Sequence, residues 1–150
     1  MLFVLLLAAL APARRDPRVE AIVQRIEHAP LQATVAKLVS FGTRHTLSDT
    51  ASETRGIGAA RRWLLAQFAA AAQGTRLKTF EDRFTAEPGR RIPAAAELIN
   101  VGAVLPGTDP ARGKQAIVMT GHYDSIPSDV MDARSDAPGA SSRRAWRCWR

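Results

Sequence analysis

The sequence predicts an α/β domain whose sheet is covered on both faces by helices. Three observations support this. The first half carries apolar residues at helical spacing, closed by glycines at 42 and 74. After Gly74 the period changes to that of strands. Two nearly continuous apolar runs then follow, ELINVGAVLPG (97–107) and QAIVMTGHYDS (115–125), as in strands buried on both sides. At 150 residues and 46% hydrophobic, the chain is long enough for one domain with a core.

The opening MLFVLLLAALAPARR places nine apolar residues after Met1, then Ala11-Pro12-Ala13 and charge. This is the pattern of a signal peptide over 1–13, too short to span a bilayer as a helix. It predicts export to a secreted or periplasmic location, with no stable membrane span once it is removed. It lacks a basic leader, which points either to a start further upstream or to a misassigned start codon. The alternative reading is a buried N-terminal strand or helix. Cys148 is the only cysteine, so no internal disulfide forms.

Asp16-Pro17 reads as an N-cap with proline at the first helical position, opening a helix over about 17–28 with Val19, Ile22, Val23 and Ile26 on one face. His28 falls at its C-terminus, where a cation suits the helix dipole. Leu31, Val35, Leu38 and Val39 predict a second helix that runs to Phe41 and stops at Gly42. The polar TRHTLSDT follows. There His45 either satisfies backbone groups, the favoured reading, or faces a cleft. Thr50 and Glu53 form a potential capping box for a long helix carrying Ile57, Ala60, Leu64 and Phe68, with Trp63 beside them and Gly74 as the stop. TRLKTFEDRFT (75–85) predicts a partly exposed strand with Lys78, Phe80, Asp82 and Phe84 on one side, and EPGRRIP a loop.

The chemistry concentrates at GHYDS (121–125). On a strand, residues two apart point to the same side, so His122 and Asp124 would project together from its C-terminal end, where open α/β sheets place ligands. One ring nitrogen can then meet a metal while the carboxylate holds the proton on the other. By itself an HxD triplet also fits a capped strand end with a hydrogen-bonded histidine. Asp129, Asp132 and Asp136 lie in a Pro-, Gly- and Ser-rich segment that reads as a solvated loop.

The order LVSFGTRHT, ETRGIGAARRWL, NVGAVLPGTDPARGKQAIVMTGHYDS and SDAPGA resembles the N-terminal half of the secreted di-zinc aminopeptidases, peptidase family M twenty-eight, over about residues 18–140. The resemblance implies the N-terminal portion of a zinc-exopeptidase-type mixed sheet flanked by helices, an incomplete domain. It further implies that His122 is a zinc ligand and that Asp124 supports the catalytic site. In the complete family domain two zinc ions activate a water that attacks the first peptide bond of peptide substrates. Family members continue from APGA into an NDDGSG-like segment whose aspartate bridges both metals, followed by a Glu-Glu pair.

This chain departs there. After Ala140 it reads SSRRAWRCWR, with Ser142 where the bridging aspartate is expected, and its last glutamate is Glu97. The composition shift predicts a frameshift or misjoined end. The expected organisation is therefore a signal peptide over 1–13, an aminopeptidase-like portion over 14–140 and an aberrant basic tail over 141–150, with at most weak zinc binding and no appreciable hydrolysis by this chain alone. The net charge of +7 falls to +3 without that tail, and arginine outnumbers lysine 18 to 3. No basic stripe or aromatic interleaving accompanies the charge, so no nucleic-acid partner is expected. Two rival readings remain: a non-catalytic binding module on the same fold, and a small basic nucleic-acid-binding protein using the Trp/Arg tail.

Overall fold

The structure is a computed structural model describing residues 16–90 and 92–127. Residues 1–13, where a signal peptide is expected, and Asp129, Asp132, Asp136, Ser142 and the tail over 141–150 lie outside the described residues. The elements run α1 (Pro17–Val23), α2 (His28–Ser40), α3 (Gly56–Ala72), β1 (Lys78–Ala86), β2 (Ala96–Val104) and a short 3-10 turn (Pro110–Arg112). This is a mixed α/β fragment with the layers of an incomplete domain. The chain divides into a compact unit through Gln32 and a larger one from Ala33.

In the first unit, α1 starts as its sequence dictates. The Asp16 side chain accepts from the Arg18 amide at 2.9 Å, and Pro17 takes the first helical position. The helix is shorter than the spacing predicts and ends at Val23. Val19, Ile22, Val23 and Ile26 are all more than half exposed, so the apolar stripe has no tertiary burial to extend the helix. His28 opens α2 instead of closing α1, which reverses the dipole argument for it.

In the second unit, α2 ends as expected, with Gly42 at φ 69 and its amide bonded to the Val39 carbonyl at 3.0 Å. Leu38, Phe41, Ala59 and Ala60 are buried together, with Trp63, Leu64 and Tyr123 packed around them. The Phe41 and Trp63 rings sit tilted, 6.3 Å between centroids. Burying a side chain such as Phe41 or Leu38 contributes about 1.5–3 kcal/mol.

The start of α3 corrects the capping-box expectation. Its N-cap is Arg55, which makes no side-chain capping bond. The loop after α2 serves instead: Gly56 N–H donates to the Phe41 carbonyl at 2.9 Å, Ile57 N–H to Ser48 Oγ at 2.9 Å, and Gly58 N–H to the Asp49 carbonyl at 3.1 Å. The two glycines of GIG follow from this closeness. A Cβ on Gly58 would collide with the Thr50 backbone and one on Gly56 with Asp49. The Asp49 carboxylate accepts from the Ser52 and Ala51 amides, which hold its pKa below the ordinary carboxylate value.

β1 and β2 pair antiparallel from Lys78 opposite Val104 to Ala86 opposite Ala96. Cross-strand pairs share a face. Ile99, the buried residue of β2, lies opposite Arg83 on the face that also carries Glu81, whose carboxylate meets Arg61 of α3 at 4.0 Å. The opposite face carries Phe80 and Phe84, 46% and 48% exposed. The sheet is thus covered on one face among the described residues, not on both.

The largest correction concerns residues 115–125. They form no strand. Ile117, Val118 and Met119 are 95%, 78% and 91% exposed. The sheet consists of β1 and β2 alone among the described residues, so this apolar run has the composition of a central strand without a neighbour to bury it.

Candidate metal centre

Residues Tyr123 and Ser125 are held by specific contacts. The Tyr123 hydroxyl donates to the Ile99 carbonyl of β2 at 2.6 Å, and its ring packs on the core. Ser125, 1% exposed, accepts from the Arg44 amide at 2.9 Å through Oγ and returns a backbone bond to the Arg44 carbonyl at 3.2 Å. Tyr123 and Ser125 thus face inward, and the residues between and before them face out. The expected side-by-side projection of His122 and Asp124 occurs, with the inward bonds of Tyr123 and Ser125 supplying the period that a strand would have supplied.

His122 Nδ1 lies 2.8 Å from Asp124 Oδ1, with the side chains 72% and 34% exposed. A carboxylate only accepts, so Nδ1 of the neutral ring carries the proton and Nε2 keeps its lone pair. The pair borders a cleft of about 200 Å³ whose lining includes Ile57, Arg61, Glu97 and Asn100. Glu97 is engaged by Arg83 at 3.3 Å.

Behind the pair lies Arg44, fully buried. Its Nε donates to the Tyr123 carbonyl at 2.8 Å, and Nη1 donates to the carbonyls of Gly42, at 3.0 Å, and Leu38. Burial lowers its pKa, and the nearby Asp124 charge opposes that shift. Tyr123 is shifted up, first by burial, with Asp124 and Glu81 adding and Arg61 opposing. His45 takes the favoured structural reading: it is 5% exposed and its Nδ1 accepts from the Leu47 amide at 3.1 Å.

Sequence reasoning singled out His122 and Asp124 but missed Arg44, Tyr123 and Ser125, which hold them. The retrievable signal was the alternation itself, since a partner-facing residue must sit on each side of an outward one. Nothing in the spacing points across 79 residues to Arg44.

A histidine whose Nδ1 is fixed by a carboxylate and whose other nitrogen reaches solvent is the arrangement of an oriented metal ligand. The donor set fits one corner of a zinc site and no more: among the described residues no group of three or more His, Cys, Asp or Glu side chains converges, whereas a catalytic zinc takes about three protein ligands.

The chain is similar to a probable zinc metalloprotease of Leptosphaeria maculans, 42% identical over 129 residues that make up 84% of this chain and 29% of the relative. It is similar also to probable zinc metalloproteases of Pyrenophora teres f. teres, 43% identical over 88% of this chain and 27% of the relative, and of Pyricularia oryzae, 41% identical over 84% and 25%. The chain therefore spans less than a third of the length of these curated relatives. No family model and no solved structure matches it.

Proposed function

We propose that this chain is part of a zinc-dependent metallopeptidase of the aminopeptidase type, to which it contributes one zinc ligand, His122 through Nε2, and the carboxylate that orients it, Asp124. The observation that carries the reading is the 2.8 Å His122–Asp124 pair at the rim of a cleft. The similarity to probable zinc metalloproteases along most of this chain supports it. Zinc, when bound, activates water for attack on a carbonyl. The chain's own residues do the preparatory work. Asp124 holds the Nδ1 proton, which fixes the ring's tautomer and aims Nε2 outward, and Tyr123 and Ser125 anchor the segment to β2 and to the loop after α2. The remaining ligands, a second zinc and a general base belong to the complete domain that the aminopeptidase resemblance implies, as do peptide substrates and the secreted or periplasmic location that residues 1–13 suggest.

The test is a zinc titration of the histidine-labelled chain followed by NMR. Zinc should shift the His122 Nε2 resonance with weak affinity, and His122→Ala should remove the response. A chain in which zinc leaves His122 unmoved overturns the ligand assignment. Aminoacyl anilide cleavage by this chain alone would overturn its dependence on further residues. In a protein carrying this segment at the length of its relatives, an aminopeptidase cleaves the free aminoacyl anilide and spares the N-acetylated one. Cleavage of the blocked substrate would remove the aminopeptidase specificity.

A further inference from the structure

We propose that Arg44 is a positioning residue for the His122–Asp124 pair, acting through the Tyr123 carbonyl. The two outward side chains flank a single residue, so the orientation of the Tyr123 peptide sets the direction of both. That peptide's carbonyl accepts from Arg44 Nε at 2.8 Å. The guanidinium is itself immobilised: Nη1 bonds the carbonyls of Gly42 and Leu38 at the end of α2, and the Arg44 amide bonds Ser125 Oγ at 2.9 Å. One buried planar group therefore ties the end of α2, the loop after it and the paired segment together.

The alternative, that Arg44 is only a structural plug, explains the α2 contacts but leaves the bond to Tyr123 without purpose. Three carbonyls in different directions require a planar fork, and a lysine offers a compact point charge that cannot reach all three. Arg44 is fully buried, so no water competes for these bonds. Loss of the Tyr123 bond would free the peptide to rotate and would separate His122 Nδ1 from Asp124 Oδ1. The neutral ring would then sample both tautomers, and Nε2 would carry the proton part of the time. The effect on metal affinity rests on reading His122 as a zinc ligand; the effect on the pair does not.

The experiment is long-range 1H–15N NMR of the full chain without metal, where the three histidines are few enough to assign, at a pH where the His122 ring is neutral. The unaltered chain should show a single Nδ1–H tautomer at His122. Arg44→Lys, with its fold checked by circular dichroism, should show a mixture at His122 while His28 is unchanged. A purely structural role would lower the melting temperature and leave the ring untouched. A folded Arg44→Lys chain with the original His122 signals overturns the proposal.

If Arg44→Lys does not fold, the unaltered chain decides. Arg44 Nε–H should exchange with solvent at least about tenfold more slowly than that of the exposed Arg112, and equal rates overturn the proposal. Where Arg44→Lys does fold, it should bind added zinc chloride about tenfold more weakly than the unaltered chain, the low end of the cost of disturbing a ligand's outer-shell partner, here Asp124. If zinc leaves the unaltered His122 unmoved, the ligand reading fails, and the metal-free tautomer result still decides the role of Arg44.

Discussion

Residues 116–119 and 122–125 lie two residues apart in one continuous run that reads as a single buried strand, yet the structure treats them in opposite ways. The first segment is AIVM, with Ile117 95% exposed; the second is HYDS, with Ser125 1% exposed. The more apolar segment is the unburied one. Hydrophobicity states what a segment would gain from a partner, about 25 cal/mol for each Å² removed from water, and does not supply the partner. HYDS needs only groups that lie nearby in the described fold: the Ile99 carbonyl, the buried Arg44 and the small core around Phe41. AIVM needs a neighbouring strand and a covering layer, and the sheet offers β1 and β2 alone among the described residues.

The anchored half depends on the loop after α2, so the strongest way to break the contrast is to displace that loop. Gly58→Ala should do so. In an ordinary helix this change stabilises by about 1 kcal/mol. Here the added Cβ would meet the backbone of Thr50, which cannot give way as a flexible side chain would. We expect the sign to reverse, with a net cost of about 2 kcal/mol in urea unfolding, and the His122 and Ser125 resonances to move while those of Ile117 stay. A neutral or stabilising Gly58→Ala would show that the loop is not clamped against α3.

That glycine also shows how much was legible in the sequence. The three helices, the left-handed stops at Gly42 and Gly74, and a partly exposed strand at β1 follow from spacing and from glycine's tolerance of positive φ. The His122–Asp124 pair was legible as well, because outward projection at a period of two needs no detailed fold. What anchors the pair was not legible. Arg44 sits in a polar loop where a buried guanidinium has no local signature, and its partners come from residues 38, 42 and 123. The capping box failed for a related reason: Thr50 and Glu53 match the pattern, but the α3 amides are met by Phe41, Ser48 and Asp49 from a loop folded back on the helix. Local patterns identified needs correctly and misassigned the groups that meet them.

A smaller effect sharpens the contrast at Tyr123, where the anchored half meets β2. Tyr123→Phe removes the 2.6 Å bond to the Ile99 carbonyl and keeps the ring packing, so about 1 kcal/mol of stability should be lost at neutral pH. The same residue sets an alkaline limit. Its folded pKa is raised, chiefly by burial, so the folded chain holds the phenol proton more tightly than the unfolded one does. This contribution is whole below the unfolded phenol's value of about 10 and is lost as pH rises through the higher folded value. The unaltered chain should therefore lose stability through that range more steeply than Tyr123→Phe. Parallel alkaline limbs in thermal melts would place Tyr123 in solvent and detach residues 122–125 from the sheet.

The smallest expected effect falls on the unburied half, and its smallness is the point. Ile117→Lys replaces a side chain that is 95% exposed, so it removes no packing and desolvates no charge, and the stability should stay within about 0.5 kcal/mol. Solubility should rise, because Ile117, Val118 and Met119 form an apolar stretch open to edge pairing with other copies. The two readouts separate the alternatives. If Ile117→Lys costs well over 1 kcal/mol in urea unfolding, the segment is packed in solution and the boundary between the two halves disappears. If stability holds and sedimentation shows less self-association than in the unaltered chain, then burial in this region stops at the histidine, and the His122–Asp124 pair stands at the outer limit of what this chain can fold by itself.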